Sequence, residues 1–293
     1  MIRIINGTTR VCGVIGNPIE HTMSPMLHNF LAERAGMNMV YVPFRVEENR
    51  VADVIKGAYG LNILGLNVTV PYKKEVIASL AEIDIGAREI GAVNTLVRVE
   101  DGYKGYNTDI SGLFRAMTER NISIKEQAVI MIGAGGAAKA VAYLLGREGA
   151  NTVYLLNRTI EKAVELASDM NRRFAKKVFV PMALSDYQKI PKGSYLAIQT
   201  TSVGMYPGTG QAPIEDEEFY QKIHTGIDLI YRPLKTRFMN YVEAAGGITI
   251  NGLSMLLYQG VTAFELWNER TVSGALVSQA YELLKEALAE YEE

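Results

Sequence analysis

Val129-Ile130-Met131-Ile132-Gly133-Ala134-Gly135-Gly136-Ala137-Ala138-Lys139-Ala140 is the stretch whose reading decides the fold. Four apolar residues make a buried strand, the glycines a turn, and the alanines the first turn of a helix. The spacing Gly133-x-Gly135-x-x-Ala138 fits the dinucleotide fingerprint. Gly133 permits the tight turn, Gly135 lets a pyrophosphate reach the backbone, and Ala138 lets the helix pack close to the strand. The N–H groups of Ala134, Gly135, Gly136 and Ala137 then face a phosphate at the positive end of a helix dipole.

The next elements strengthen this reading. A helix over 136–149 leads to a strand over 152–156, which ends in Asn157-Arg158-Thr159. At this distance from the first glycine, an NAD site would carry a carboxylate for the ribose 2′-hydroxyl. Arg158 stands there instead, and Lys162 should share its helical face one turn later. A 2′-phosphate would be bound by this pair and repelled by a carboxylate, so the pattern favours NADP. The alternative is a solvated helix start capped by Thr159.

Composition narrows the class. The chain has 293 residues, room for two domains, with 48% hydrophobic and 21% charged residues. A net charge of −2 gives no general attraction to nucleic acid or to anionic membranes. The basic run 172–177 closes a helix, where cations suit the dipole. One cysteine, Cys12, in an apolar strand and three scattered histidines form no disulfide framework and no metal-ligand spacing. We expect no metal and no membrane span, and without a signal-peptide pattern the default setting is cytoplasmic.

Upstream, strands are expected over 11–16, 39–44, 64–69 and 93–99. They alternate with helices over 24–36 and 47–60 and a short helix opened by Pro71 that contains Lys73. Ser24 should cap the first helix and Pro25 begin it, with Leu27, Phe30, Leu31 and Ala35 buried. Asp101-Gly102 signals a hairpin. Asp109 is a candidate cap for the helix that follows. The alternation implies an α/β domain with a mainly parallel sheet. Downstream of the fingerprint, strands are expected over 178–180, 195–199, 226–230 and 248–250. Thr201 and Ser202 follow the second of these. Two amphipathic helices after Gly252 (one with its stripe from Leu253 to Trp267, then 273–293) add no strand. They should return to the first domain and make it discontinuous.

Several blocks now stand in order: residues 16–25 (GNPIEHTMSP), 67–73 (NVTVPYK), 91–95 (GAVNT), 105–109 (GYNTD), 133–137, 157–159, 228–233 (DLIYRP) and 252–260 (GLSMLLYQG). Together they closely resemble the shikimate dehydrogenase family, including its shikimate/quinate branch. The resemblance implies two α/β domains with the active site in the cleft between them. Residues 1–108 together with 252–293 would form the substrate domain, and 109–251 a Rossmann-type NADP domain. It further implies reversible hydride transfer from NADPH to 3-dehydroshikimate, giving shikimate for aromatic amino-acid and chorismate biosynthesis. The assembly would be a monomer or homodimer.

Carried over by position, Lys73 and Asp109 are the catalytic pair, donor of the proton and its orienting carboxylate. Thr22 and Ser24, assisted by Tyr231, match the carboxylate-binding positions. Asn67, Thr69, Asn94 and Gln259 match the remaining substrate contacts. Leu229 and Gly252 match positions near the cofactor. Thr22 departs from the commoner serine, which keeps open an enzyme that also accepts quinate and NAD. A non-catalytic NADP-binding sensor is the remote alternative; the presence of both Lys73 and Asp109 argues against it.

Overall fold

The computed structural model describes residues 5–290. The chain divides into two compact units, Met1–Gly112 with Leu257–Ala287, and Leu113–Leu256 with Leu288–Glu293.

The first unit is built from β1 (Arg10–Gly16), α1 (Ser24–Arg34), β2 (Met39–Arg45), α2 (Val51–Gly60), β3 (Gly65–Val68), a 3₁₀ turn (Glu75–Ser79), β4 (Glu82–Ile83), α3 (Ile85–Ile90), β5 (Thr95–Val99), β6 (Gly102–Tyr106) and the start of α4 (Thr108–Glu119). Its sheet runs β2-β1-β3-β5-β6-β4. β1 lies parallel to β2 and β3, whereas β5 is antiparallel to both β3 and β6. With β4 parallel to β6, three of the five neighbouring pairs are parallel, so the sheet is mainly parallel, as expected, with β5 as its antiparallel member. The hairpin pairs Val99 with Gly102, and so short a connection can only reverse the chain.

Local corrections have local causes. α2 begins at Val51 and not at residue 47, because Asn49 takes a left-handed conformation, φ 63°. Met23 is the residue before α1, Ser24 lies inside the helix and Pro25 follows it, with no side-chain cap. The buried stripe of α1 is Leu27, His28, Leu31 and Ala32. Phe30 and Ala35 are only half-buried. Lys73 sits in a turn ahead of the 3₁₀ segment and not in a helix. Its carbonyl accepts from Val93 N–H at 2.8 Å, while Ile77 N–H turns to Lys74.

The second unit contains β7 (Ala128–Ile132), α5 (Gly136–Arg147), β8 (Thr152–Asn157), α6 (Ile160–Arg173), β9 (Phe179–Ala183), a 3₁₀ turn (Leu184–Lys189), β10 (Tyr195–Gln199), α7 (Glu217–Tyr220), β11 (Ile223–Asp228), α8 (Arg237–Ala244) and β12 (Ile248–Ile250). The strand order is β12-β11-β10-β7-β8-β9, with every neighbouring pair parallel. Such strands are buried on both faces, and β10 is buried throughout. This is the doubly wound Rossmann order, whose switch point lies between β7 and β10, where ligands of open α/β sheets bind. β11 stops at Asp228, short of residue 230, because the Asp228 carboxylate takes the Ile230 N–H at 3.0 Å.

Two helices close the chain, α9 (Gly252–Asn268) and α10 (Gly274–Glu290). Residues 291–293 of the expected last helix lie outside the described residues. Trp267 of α9 donates its indole N–H to the Leu96 carbonyl of β5 at 2.8 Å. Its ring lies where a Cβ on Gly65 would fall, so only glycine fits at the start of β3.

Candidate active site

In the first unit, the side chains of Lys73 and Asp109 meet. Lys73 Nζ lies 2.7 Å from Asp109 Oδ2, with the two side chains 33% and 20% exposed. That partial exposure keeps the ammonium reachable while the carboxylate holds it. Asp109 is in the first turn of α4, but it does not cap the helix as expected. The Asn107 side chain takes that role, accepting from Asp109 N–H at 3.2 Å. The carboxylate is thereby free for other partners, and its second oxygen accepts from Asn94 Nδ2 at 2.9 Å. Lys73 and Asn94 are themselves linked through the bond from Val93 N–H to the Lys73 carbonyl.

Asn67 and Asn94 are both buried, at 6% and 3% exposure, and joined by their polar groups. Asn67 Nδ2 donates to the Asn94 carbonyl at 3.2 Å and to Thr95 Oγ1 at 3.0 Å. Asn67 Oδ1 accepts from the Tyr41 hydroxyl at 2.7 Å. Thr69 follows β3, and its methyl packs against Gly16, where β1 ends. In the loop after β1, Thr22 Oγ1 accepts from the Ser24 backbone N–H at 3.3 Å, which orders the Thr22 hydroxyl. Gln259 is half-buried on α9, next to Gly260, which touches Leu27 and His28 of α1. Tyr231 belongs to the second unit, after β11, where burial raises its phenol above the usual range. The structure thus brings Asn67, Lys73, Asn94 and Asp109 into one hydrogen-bonded group. Thr22 and Ser24 are bonded to each other, and the Ser24 side chain reaches the Tyr41 hydroxyl that serves Asn67.

In the second unit the glycine turn lies at the switch point. Gly133 adopts φ 116°, and a Cβ there would collide with Thr200 Oγ1. Thr200 clips the turn by donating both its N–H, at 2.9 Å, and its hydroxyl, at 2.8 Å, to the Ile132 carbonyl. Gly135, Gly136 and Ala137 are exposed at the start of α5, and Ala138 is fully buried. A Cβ on Gly135 or Gly136 would meet nothing within 4 Å. No side chain caps α5, so its first N–H groups face outward. This cradle fits a dinucleotide pyrophosphate.

Thr201 and Ser202 follow β10. Thr201 N–H bonds the Gln199 side chain, and Thr201 Oγ1 accepts from Val203 N–H. Asn157 Nδ2 donates to the Thr159 carbonyl at 2.8 Å, turning the chain into α6. Arg158 precedes α6, so it does not share a helical face with Lys162 as expected. Both are exposed, and among the described residues neither has an ion-pair partner. Two available cations beside the turn suit a 2′-phosphate. Leu229 N–H donates to the Gln199 carbonyl, and Gly252 is so close to the Leu229 carbonyl that a Cβ would not fit.

A cavity of about 730 Å³ in this unit, lined by Tyr206, Arg232, Lys235 and Arg237 among others, touches none of these residues. Lys235 and Arg237 there are already paired with Glu243 and Glu215. Among the described residues, no cluster of His, Cys, Asp and Glu could hold a metal ion, and no helix is long and apolar enough to cross a membrane.

Known proteins resemble this chain over most of its length. The shikimate dehydrogenase substrate binding domain matches residues 14–96, and the shikimate/quinate 5-dehydrogenase family matches residues 116–194. A shikimate dehydrogenase (NADP(+)) from Desulforamulus reducens is 43% identical over 265 residues, covering 90% of this chain and 91% of that protein. The chain belongs to the shikimate dehydrogenase family. Family members of known structure share the whole fold. A shikimate dehydrogenase in complex with NADP+ superposes with a TM-score of 0.86 at 38% identity, over 95% of this chain and 96% of that one. The Listeria monocytogenes shikimate 5-dehydrogenase in complex with shikimate and NAD gives 0.89 at 30% identity, over 96% and 98%.

Sequence reasoning missed five residues of these sites: Tyr41, Thr95, Asn107, Thr108 and Thr200. Thr95, Asn107 and Thr108 lie inside the quoted blocks, next to residues that were singled out. Thr200 abuts Thr201. Tyr41 carried no signal, since an aromatic residue in an apolar strand reads as core.

Proposed function

We propose that this chain is an NADP-dependent shikimate dehydrogenase, reversibly reducing 3-dehydroshikimate to shikimate in aromatic amino-acid biosynthesis. In this reading the first unit binds the substrate and the second binds NADP. When bound, NADPH supplies the hydride to the substrate carbonyl carbon. Lys73 Nζ gives a proton to the carbonyl oxygen as negative charge develops there, and Asp109 holds the ammonium in place. Thr22, Ser24 and Tyr231 hold the substrate carboxylate. Asn67, Thr69, Asn94 and Gln259 read its hydroxyls with neutral donors and acceptors. Gly133 to Ala137 receive the pyrophosphate. Asn157, Arg158, Thr159 and Lys162 receive the adenosine ribose and its 2′-phosphate. Thr201, Ser202, Leu229 and Gly252 line the rest of the nucleotide.

The observation that carries the proposal is the contact of Lys73 with Asp109 at 2.7 Å, oriented by Asn94, in a member of this family. A sensor that only bound NADP would have no use for a partly exposed ammonium held in this way. The test is a crossed rate assay in which shikimate and quinate are each offered with NADP and with NAD. Turnover confined to shikimate with NADP is expected. Comparable turnover of quinate would assign the chain to the quinate-accepting branch and point to Thr22. Absence of turnover in every combination, with NADP still bound, would overturn the reading.

A further inference from the structure

The Thr95 hydroxyl lies between the two buried amides of the site. Thr95 is fully buried and so cannot touch a substrate. Its Oγ1 accepts from Asn67 Nδ2 at 3.0 Å. That bond has a defined direction, because the same Asn67 amide group also donates to the Asn94 carbonyl, which can only accept. At its other end, Asn67 Oδ1 accepts from the Tyr41 hydroxyl. Asn94 Oδ1 can only accept, so Thr95 turns its single proton towards it, 3.0 Å away, beside the Thr108 hydroxyl at 3.1 Å. Thr108 N–H donates to the same Asn94 oxygen at 2.7 Å. Donors converge on Asn94 Oδ1, so Asn94 Nδ2 must face Asp109.

We propose that Thr95 is a positioning residue for the reaction: its buried hydroxyl ties the Asn67 and Asn94 amides together and so presents Asp109 to Lys73. This rests on the assignment of Lys73 and Asp109 as the catalytic pair. The Thr108 N–H alone fixes which way the Asn94 amide points. The Asn94 backbone is held to β3 by the Val68 N–H, and the Thr95 hydroxyl adds a link from the Asn94 side-chain oxygen to the Asn67 amide. It does so without contact with any reacting atom, since β3 and β5 are paired at Asn67 and Thr95.

Thr95→Val and Thr95→Ser separate a hydroxyl role from a packing role. Valine keeps the shape and removes the hydroxyl's bonds to Asn67, Asn94 and Thr108; serine keeps the hydroxyl and removes a methyl. Thr95→Val should lower kcat for shikimate oxidation about tenfold, the effect of losing a buried hydrogen bond and leaving its partners unpaired. KM for NADP should stay within about twofold, and Thr95→Ser should retain most of kcat. In an Asp109→Asn background, Thr95→Val should cause little further loss, because the two residues act in series. If Thr95→Val proves unfolded, Thr95→Ala is read in the same way. Thr95→Val at wild-type kcat, or Thr95→Ser as impaired as Thr95→Val, would overturn the proposal while Asp109→Asn still collapsed turnover. An equal loss in the Asp109→Asn background would overturn it too, making Thr95 independent of Asp109. Near-normal turnover of Asp109→Asn by itself would refute the catalytic assignment, and the role of Thr95 with it.

Discussion

Replacing Asp109 by asparagine changes one oxygen to an N–H₂ group at the point where two donors converge. Asp109 Oδ2 holds Lys73 Nζ at 2.7 Å and Oδ1 accepts from Asn94 at 2.9 Å. An amide offers only one oxygen. Its nitrogen must face either the Lys73 ammonium or the Asn94 Nδ2, so one contact becomes donor against donor. If Lys73 supplies the proton and Asp109 positions it, kcat should fall about 10²- to 10⁴-fold, the range of positioned acid–base catalysis. KM for shikimate should change much less. The stability cost should be small. The Lys73–Asp109 pair is partly exposed, which limits it to about 1 kcal/mol or less. The N-terminus of α4 is unaffected, because Asn107 and not Asp109 accepts the helix N–H. A hydrogen bond to Asn94 adds about 1 kcal/mol. Together these lower Tm by only a few degrees. Steady-state kinetics and a thermal melt on the same preparation decide the matter. A variant that melts early but turns over within about threefold of wild type would reduce Asp109 to a structural residue, and the proposed mechanism would lose its second member.

Arg158→Ala should weaken NADP binding about tenfold, the low end for an exposed charge-assisted bond, and leave NAD within about twofold; equal loss for both nucleotides in a binding titration would remove the 2′-phosphate role. Asp228 is buried, and burial pushes its carboxyl up to about 6, only partly opposed by bonds from Thr236 and Ile230. The folded chain then binds a proton below pH 6 that the unfolded chain binds only near its ordinary value. Stability from this group is gained as pH falls from 6 towards 4, and about 3 kcal/mol is lost above that window. Asp228→Asn should flatten that part of the Tm–pH curve, and an unchanged slope would contradict it. His28 behaves in the opposite sense. It is fully buried, stacked on Tyr41 at 4.3 Å, and neither ring nitrogen makes a hydrogen bond. Burial lowers it to about 3. Unfolding therefore takes up a proton at any pH between about 6.5 and 3, and stability is lost as pH falls through that range. His28→Phe should melt with less acid sensitivity between pH 6.5 and 4.5; the same sensitivity in both proteins would show that His28 is not the group responsible.

The nucleotide-binding unit was legible because its signals are local. A strand, a glycine turn and a helix start lie within twelve consecutive residues, and the requirement at Gly133 for φ 116° follows from the turn itself. The all-parallel order follows from helices between successive strands, since such crossovers lead to parallel neighbours. In the first unit the mainly parallel sheet and the hairpin at Asp101-Gly102 were legible too, and the place of β5 was not. That place depends on β5 lying against β3, a pairing of distant segments that no window of sequence contains.

The site divides along the same line. Lys73, Asp109, Asn67 and Asn94 were nameable from short blocks, because residue identity and spacing are properties of the chain. Their hydrogen-bond partners were not. By its place before a helix Asp109 reads as a cap, and the family resemblance alone pairs it with Lys73. Only the folded chain shows that Asn107 serves the helix, leaving the carboxylate to Lys73 and Asn94. Arg158 was placed on a helical face, although α6 begins after it. By itself, then, the sequence determined the fold class and the nucleotide turn, because those depend on patterns within short stretches, and it named candidate reactive groups through short blocks shared with a family. Tertiary structure alone decided which oxygen faces which nitrogen, that Thr95 lies between two amides, and that His28 is sealed in the core. Each of these depends on strands and helices far apart in the chain being brought within 3 to 5 Å of one another.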